Sequence, residues 1–506
     1  MKRWFFLWAA FFIAASLVFA GGGRQAGSSG ASGPVKLSIF VNMSWYPTNS
    51  FTGIIPEEIT RQTGVILDPT VAVDGQQLGV MIASGELPDL VYTDTLLDQM
   101  SDGDICYSYE ELISRYNVDW KLSAQRLGIA RSKSQDGKAY YTPNNLSENA
   151  SDWVNSSAVP MAASLIYRTD LYKAVGSPPL KNFDDLFNLF TAVKQKYPNM
   201  GAVLKLNRDW NTAVFRVNMG LPGIPYVEQS NGTYMWPQHD ARYKQAIAFL
   251  NKCWRAGFIS PDESYFVVGS EAIPDGEWFA FSGCTQNHLP DRLAALQKIN
   301  PSYTVAEMVP FDTANYQASN IGWCGTFITK KNKNPEASIK LMKWMFSDEG
   351  IAACYMGRKG VDYTQEPGQL PKFSAEWNAA LNDGTLIQKY NNWWYLGGNP
   401  IVESESRIAT TDPALVKDAY SKIRSKYSNA PWIAAAAPIG NSDEKIIADK
   451  LTELSNTYEP RLIMAKTEAE FETIFKEFIA NADQIGAAKL ETFVNNKIKE
   501  IKPRYQ

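Results

Sequence analysis

The sequence predicts an α/β fold: doubly wound sheets in a large two-lobed body whose C-terminal part is helical. Three observations carry this prediction: a strand–helix–strand–helix–strand pattern near the N-terminus, 45% apolar residues in a chain of 506, and helical periodicity through the final third. At about 150 residues per domain such a chain divides into two large lobes or three smaller units. No repeat at a fixed period is visible, which favours one two-lobed body over an array.

Taken in order, residues 1–20 (MKRWFFLWAAFFIAASLVFA) set Lys2 and Arg3 before an apolar run that ends in Val18-Phe19-Ala20, the pattern of a cleaved secretory signal peptide. A lipid anchor would need a cysteine directly after that run, and the first cysteine is Cys106, so the expectation is a soluble periplasmic protein. Residues 21–33 (GGGRQAGSSGASG) form a Gly/Ser tether. Structure is expected from Pro34, with a first strand through Val35–Val41 that leads into the polar and aromatic loop Asn42-Met43-Ser44-Trp45-Tyr46-Pro47. A helix follows, with Pro56 near its start and Gly64 past its end, and then a short strand through Val65, Ile66 and Leu67. Residues 76–84 suit a second helix closed by Gly85, and "LPDLVY" a third strand. Further on, Asn182 is placed to cap a helix bearing Phe183, Leu186, Phe187, Phe190 and Val193 on one face. Asn334 and Pro335 open another with Ile339, Met342 and Phe346 on one face. Thr467 and Glu470 form a T-x-x-E capping box ahead of Phe471, Ile474, Phe475, Phe478 and Ile479.

Composition removes several functions. A formal charge of −4 without a lysine-rich block argues against nucleic acid. Five cysteines without a C-x-x-C pair cannot be paired by spacing, and buried free thiols are the simpler reading. No nucleophile elbow, zinc-protease helix, phosphate loop or dinucleotide fingerprint is present, so no cofactor or metal is expected. His239 and His288 each stand alone near a loop and read as surface or turn residues. Among 53 carboxylates a chance acid pair is cheap, so an enzyme reading rests on no specific residue. Fifteen tryptophans, roughly twice the usual share, point instead to binding of flat apolar faces.

Four segments, "ASGELPDLVYTD", "LYKAVGSPPLKNFDDLFNLFTAVK", "NPEASIKLMKWMFSDEG" and "GRKGVDYTQEPG", occur in an order that resembles the extracellular solute-binding proteins of family 1, the large oligosaccharide-binding components of carbohydrate ABC importers. The resemblance runs from Val35 to about residue 500 and implies a periplasmic-binding-protein fold, two α/β lobes joined by a hinge with sugar gripped between them. It implies a first lobe of residues 35–158 plus 326–385 and a second of 159–325 plus 386–506, with "ASLIYRTD" crossing one way and "GWCGTFITKK" returning. The calcium loop of many long members is missing, since "QKYPNMGAVLKLNRDW" has no D-x-[DN]-x-[DN]-G run. The implied partners are an oligosaccharide and membrane permease subunits, with the protein a monomer and not an enzyme. A secreted glycan-active enzyme and a sugar-sensing subunit are the alternatives.

In open α/β sheets ligands lie beyond the carboxyl ends of strands, which points to Asn42, Trp45 and Tyr46 after the first strand and to Tyr92 and Asp94 at and after the third. Arg208 and Trp210 follow the strand-like "AVLKL", Trp278 lies in "GEWFAFSG", and Trp323 stands where the chain returns through the hinge. The resemblance adds Trp393, Trp394 and Tyr395 of "NNWWYLGG". Aromatic faces attract the C–H face of a sugar ring, and amides, carboxylates and arginine pair with its hydroxyls. Tyr141 and Trp153 flank the expected lobe crossing and rank lower.

Overall fold

The structure is a computed structural model that describes residues 33–148, 153, 156–207, 210, 212–260, 273–286 and 288–505. The signal segment, the tether up to residue 32 and Arg208 lie outside the described residues. In chain order the strands that matter are β1 (Val35–Val41), β2 (Val65–Val71), β3 (Leu90–Thr93), β4 (Ala163–Arg168), β5 (Ala202–Leu206), β6 (Trp278–Cys284), β7 (Val305–Glu307), β8 (Tyr316–Ala318), β9 (Gly325–Ile328) and β10 (Tyr427–Asn429).

The first lobe is built on a four-stranded sheet of order β9-β3-β1-β2, in which β1 pairs in parallel with β2 and β3 while β9 runs antiparallel to β3. Leu37, Ile39, Val41, Leu90 and Tyr92 face one core, and Phe40 and Val91 face another on the opposite side, as the two-residue period of a strand requires. Both faces are therefore covered, by helices Ile54–Thr63 and Pro335–Met345 on one side and Gln77–Ser84 and Ala124–Arg131 on the other. β2 extends past the expected Leu67 to Val71 and carries Pro69, which is tolerated because β2 is an edge strand. Gly64 and Gly85 close their helices at φ 69° and 71°, left-handed conformations that favour glycine.

The second lobe has a four-stranded sheet of order β5-β6-β4-β7, with β5 and β6 parallel and β4 antiparallel to both neighbours. Helix Phe183–Lys196 packs on it with Leu186, Leu189, Phe190 and Val193 buried, and Asn182 accepts from the Asp185 N–H as the capping pattern predicts. Helices Asp443–Ile463, Glu468–Ile485 and Ala487–Ile501 complete the C-terminal part against the same core. Thr467 caps the second of these by accepting from Glu470 N–H.

Three sequence expectations are corrected. Asn334 gives no side-chain cap; Asn332 organises that turn, its Oδ1 accepting from Asn334 N–H and its Nδ2 donating to Ser338 Oγ. The segments "ASLIYRTD" and "GWCGTFITKK" do not themselves cross between lobes. Their apolar parts are the sheet strands β4 and β9, each paired within its own sheet. Tyr390, Trp394, Tyr395 and Leu396 pack in the first core with Leu37 and Tyr92, so residues 390–396 belong with the first lobe and not the second. All five cysteines are buried free thiols, and no helix among the described residues is long and apolar enough to cross a membrane.

Candidate interlobe binding site

The carboxyl ends of β1 and β3 deliver Asn42, Trp45, Tyr46, Tyr92 and Asp94 to one end of the first lobe, but they do different work there. Asn42 is buried and donates its amide to Thr93 Oγ1 (3.1 Å) and Thr95 Oγ1 (3.0 Å), pinning the two strand ends together. Its Oδ1 has no partner among the described residues. Tyr46 donates its hydroxyl to the Trp393 carbonyl, and Tyr92 is 1% exposed with its hydroxyl accepting from Asn144 Nδ2 at 3.1 Å. Both phenols are held above their ordinary pKa by burial. They are the backing of a wall whose outer layer is Trp45, 55% exposed, with Trp323 and Trp393, both half-buried. The Trp45 ring centroid lies 5.9 Å from that of Trp323 and 6.4 Å from that of Trp393. Asp94 is half-buried beside the wall, and desolvation raises its carboxyl above the usual range.

Asn144 fixes this wall to the lobe crossings. Its Nδ2 also donates to the Tyr395 carbonyl (3.2 Å), its Oδ1 accepts from Cys324 N–H (3.1 Å), and its own N–H donates to the Cys324 carbonyl (3.0 Å). One carboxamide thus ties three chain segments that are distant in sequence. Asn145 extends the joint by donating to Glu403 Oε2 (3.1 Å), and Ser404 exchanges hydrogen bonds with both backbone groups of Val159. These contacts set helix Pro400–Ile408 across the boundary between lobes.

Beside these crossings lies a hollow of about 650 Å³ lined by Glu148, Trp153, Arg424, Tyr427, Asn429 and Trp432. Trp153 and Tyr427 tilt against each other at 5.6 Å, and Trp432 Nε1 reaches Tyr234 Oη at 3.4 Å. Arg424 is positioned by donating from Nη1 to the Ser157 carbonyl at 3.0 Å, and it has no carboxylate partner among the described residues, whereas Glu148 is paired with Arg126. β10, which lines the hollow at Tyr427 and Asn429, pairs in parallel with β8. Asn429 Oδ1 accepts from Asn320 N–H (2.7 Å) and Asn320 Oδ1 from Gly322 N–H (2.8 Å), one residue before Trp323.

Several candidates from the sequence fall elsewhere. Trp278 is fully buried in the second core, because it begins β6 at the end opposite to the strand's carboxyl terminus, and its Nε1 donates to Asp275 at 3.1 Å. Trp394 is fully buried against Phe51 and Tyr46, whereas Tyr395, stacked on Tyr355 at 4.2 Å, lines a separate small recess. Trp210 is half-buried against the second core. Conversely, Arg424, Tyr427, Asn429 and Trp432 were not singled out by sequence. Their segment "RSKYSNAPW" has the same mixture of aromatic and hydrogen-bonding residues that marked Asn42–Tyr46. Arg126 and Glu148 carry no such signal, being single charges in ordinary loop and helix contexts.

The arrangement offers flat apolar faces and hydrogen-bonding groups between two lobes, with no cluster of side chains suited to a metal among the described residues. No protein-family model and no curated protein matches the chain. Solved structures that share its fold include the calcium-free alginate-binding protein AlgQ2, at 18% identity and a TM-score of 0.70 over 93% of this chain and 99% of that one. They also include an HMO-binding, ABC-transporter-associated solute-binding protein from Bifidobacterium longum infantis, at 12% identity and a TM-score of 0.63 over 92% and 99% of the respective chains. A third is the S. pneumoniae ABC-transporter substrate-binding protein FusA in complex with kestose, at 17% identity and a TM-score of 0.64 over 92% and 99%. At these identities the likeness establishes a solute-binding-protein fold.

Proposed function

We propose that the protein binds an oligosaccharide between its lobes and presents it to the permease subunits of an ABC importer, acting as a periplasmic monomer without catalysis. The observation that carries this reading is the hollow of about 650 Å³, where two indoles, a phenol, a guanidinium and a carboxamide converge at the lobe crossing. A volume of that size suits a ligand of more than one sugar ring. Indole and phenol faces take the C–H face of a pyranose, and the polar groups take its hydroxyl edge. The fold is one whose similar solved structures include sugar-binding proteins of ABC transporters. Ligand that touches both lobes favours the closed arrangement over the open one by its extra contacts, which is the basis of hinge closure.

The test is isothermal titration of the full chain against a panel of neutral and acidic oligosaccharides, with recovery and mass analysis of the sugar afterwards. The expected result is one-to-one binding of intact sugar, weakened about 5- to 30-fold by Trp153→Ala or Trp432→Ala, in line with the one to two kcal/mol that an aromatic stacking contact contributes. Shortened sugars after incubation would establish an enzyme instead. Absence of binding across the panel would refute the carbohydrate reading.

A further inference from the structure

A second recess opens between the lobes, of about 120 Å³, and shares no lining residue with the larger hollow. Gln286, just past the end of β6, reaches it from the second lobe, Tyr355 and Asn392 from the first, and Arg407 from the crossing helix. Gln286 and Tyr355 are each 3% exposed. Gln286 Oε1, Tyr355 Oη and Asn392 Oδ1 all lack a hydrogen-bond partner among the described residues. Buried oxygens of this kind are almost always paired, so three around one small recess point to an occupant there. Gln286 is also held at φ 59°, a left-handed conformation unusual for glutamine, with its N–H donating to Tyr420 Oη at 2.8 Å. The fixed backbone aims its carboxamide.

The chemistry of the lining narrows the occupant. Each carboxamide presents both donor and acceptor, and the phenol can serve as either, which matches hydroxyl groups that also do both. Phe373 and Trp377 stack at 4.8 Å and 13° and form an apolar wall. Arg407 is already committed to Glu403, with Nε at 3.2 Å and Nη2 at 3.1 Å from the same carboxylate oxygen. With that cation engaged and the Asp291 carboxylate exposed at the recess, an anionic guest finds no counter-charge. We propose that the recess is a second ligand site, distinct from the oligosaccharide hollow, which takes one neutral hydroxylated six-membered ring. Because its polar atoms come from both lobes, the occupied recess bridges them.

The probes are D-glucose, D-galactose, D-mannose and myo-inositol, titrated into the full chain and followed by saturation-transfer difference NMR. At least one binds, and Tyr355→Phe and Asn392→Leu each weaken it tenfold or more, while Trp432→Ala leaves its affinity unchanged. Tyr355→Phe deletes only a hydroxyl that has no partner among the described residues, so the unliganded variant melts at or above the wild-type temperature and a lost affinity is not a lost fold. Failure of all four probes overturns the second site, as does binding that Trp432→Ala abolishes and Tyr355→Phe spares, which would put the ring in the larger hollow. A crystal structure at saturating sugar with only ordered water in the recess overturns it too. None of these outcomes touches oligosaccharide binding, which is read separately by the panel titration.

Discussion

Replacing Glu307 with glutamine is expected to remove a pH dependence of stability worth about 3 kcal/mol. Glu307 ends β7, is 4% exposed, accepts from Tyr420 Oη at 3.1 Å through one oxygen and has no partner for the other among the described residues. Burial pushes its carboxyl from 4.5 up to about 7. At about 1.4 kcal/mol per tenfold change in proton affinity, that difference gives the 3 kcal/mol. The sign follows from which state holds the proton more tightly. The folded protein does, so the contribution is intact below pH 4.5, declines as pH rises to about 7 and is flat beyond. Urea midpoints of wild type and Glu307→Gln, measured by circular dichroism at intervals across this range, give the difference curve. The gap should change by about 3 kcal/mol over that range, the glutamine variant being favoured at the alkaline end. His239 also loses stability as pH rises, but it is present in both proteins and cancels. Parallel curves for the two proteins would refute the argument, because an exposed or well-solvated carboxylate would leave no gap to close.

Trp278→Ala and Trp45→Ala should separate core from site: the first costs about 3–5 kcal/mol in denaturant melts because it empties a fully buried volume, whereas the half-exposed Trp45 costs under about 1 kcal/mol and weakens sugar binding instead. Asn144→Leu removes the three carboxamide bonds to Tyr92, Tyr395 and Cys324, and at about 1 kcal/mol per bond it should lower stability by about 3 kcal/mol in the same melts. His239 has its pKa raised by its hydrogen bond to Glu491 Oε1 at 2.8 Å, against the opposing effect of burial. Its contribution is therefore full below pH 6.5 and lost as pH rises above that value. His239→Gln should cost on the order of 1 kcal/mol at pH 6 and less at pH 9, read as the shift in melting temperature.

Local pattern was enough for the framework. The alternation of Val35–Val41, the glycines at 64 and 85 and the Asn182 and Thr467 caps are short-range physics, and each acts through neighbours within a few residues. The rule that ligand sites lie beyond strand ends pointed to Trp45 and Asp94, which stand at the end of the first sheet, Trp45 exposed and Asp94 half-buried. It could not tell a wall from its backing. Tyr92 and Trp323 carry equal promise in sequence, yet Asn144 reaches in from another segment to cover Tyr92 while leaving Trp323 half-exposed. Trp278 failed for a related reason: its strand was visible, but the strand's direction relative to the lobe interface depends on pairing with β5 and β4.

The sequence by itself determined the α/β class, the strands and helices of the first sheet and the chain's own richness in aromatic side chains, since these follow from periodicity and composition. Tertiary structure alone decided which aromatics are accessible, where the lobe boundary runs near Tyr390–Leu396, and that Trp153, Arg424, Tyr427 and Trp432 share one hollow. Those facts depend on contacts between residues more than 250 positions apart, such as Asn144 with Tyr395 and Asn145 with Glu403. No local preference encodes such a contact; it exists only once burial has chosen which faces of the two lobes meet.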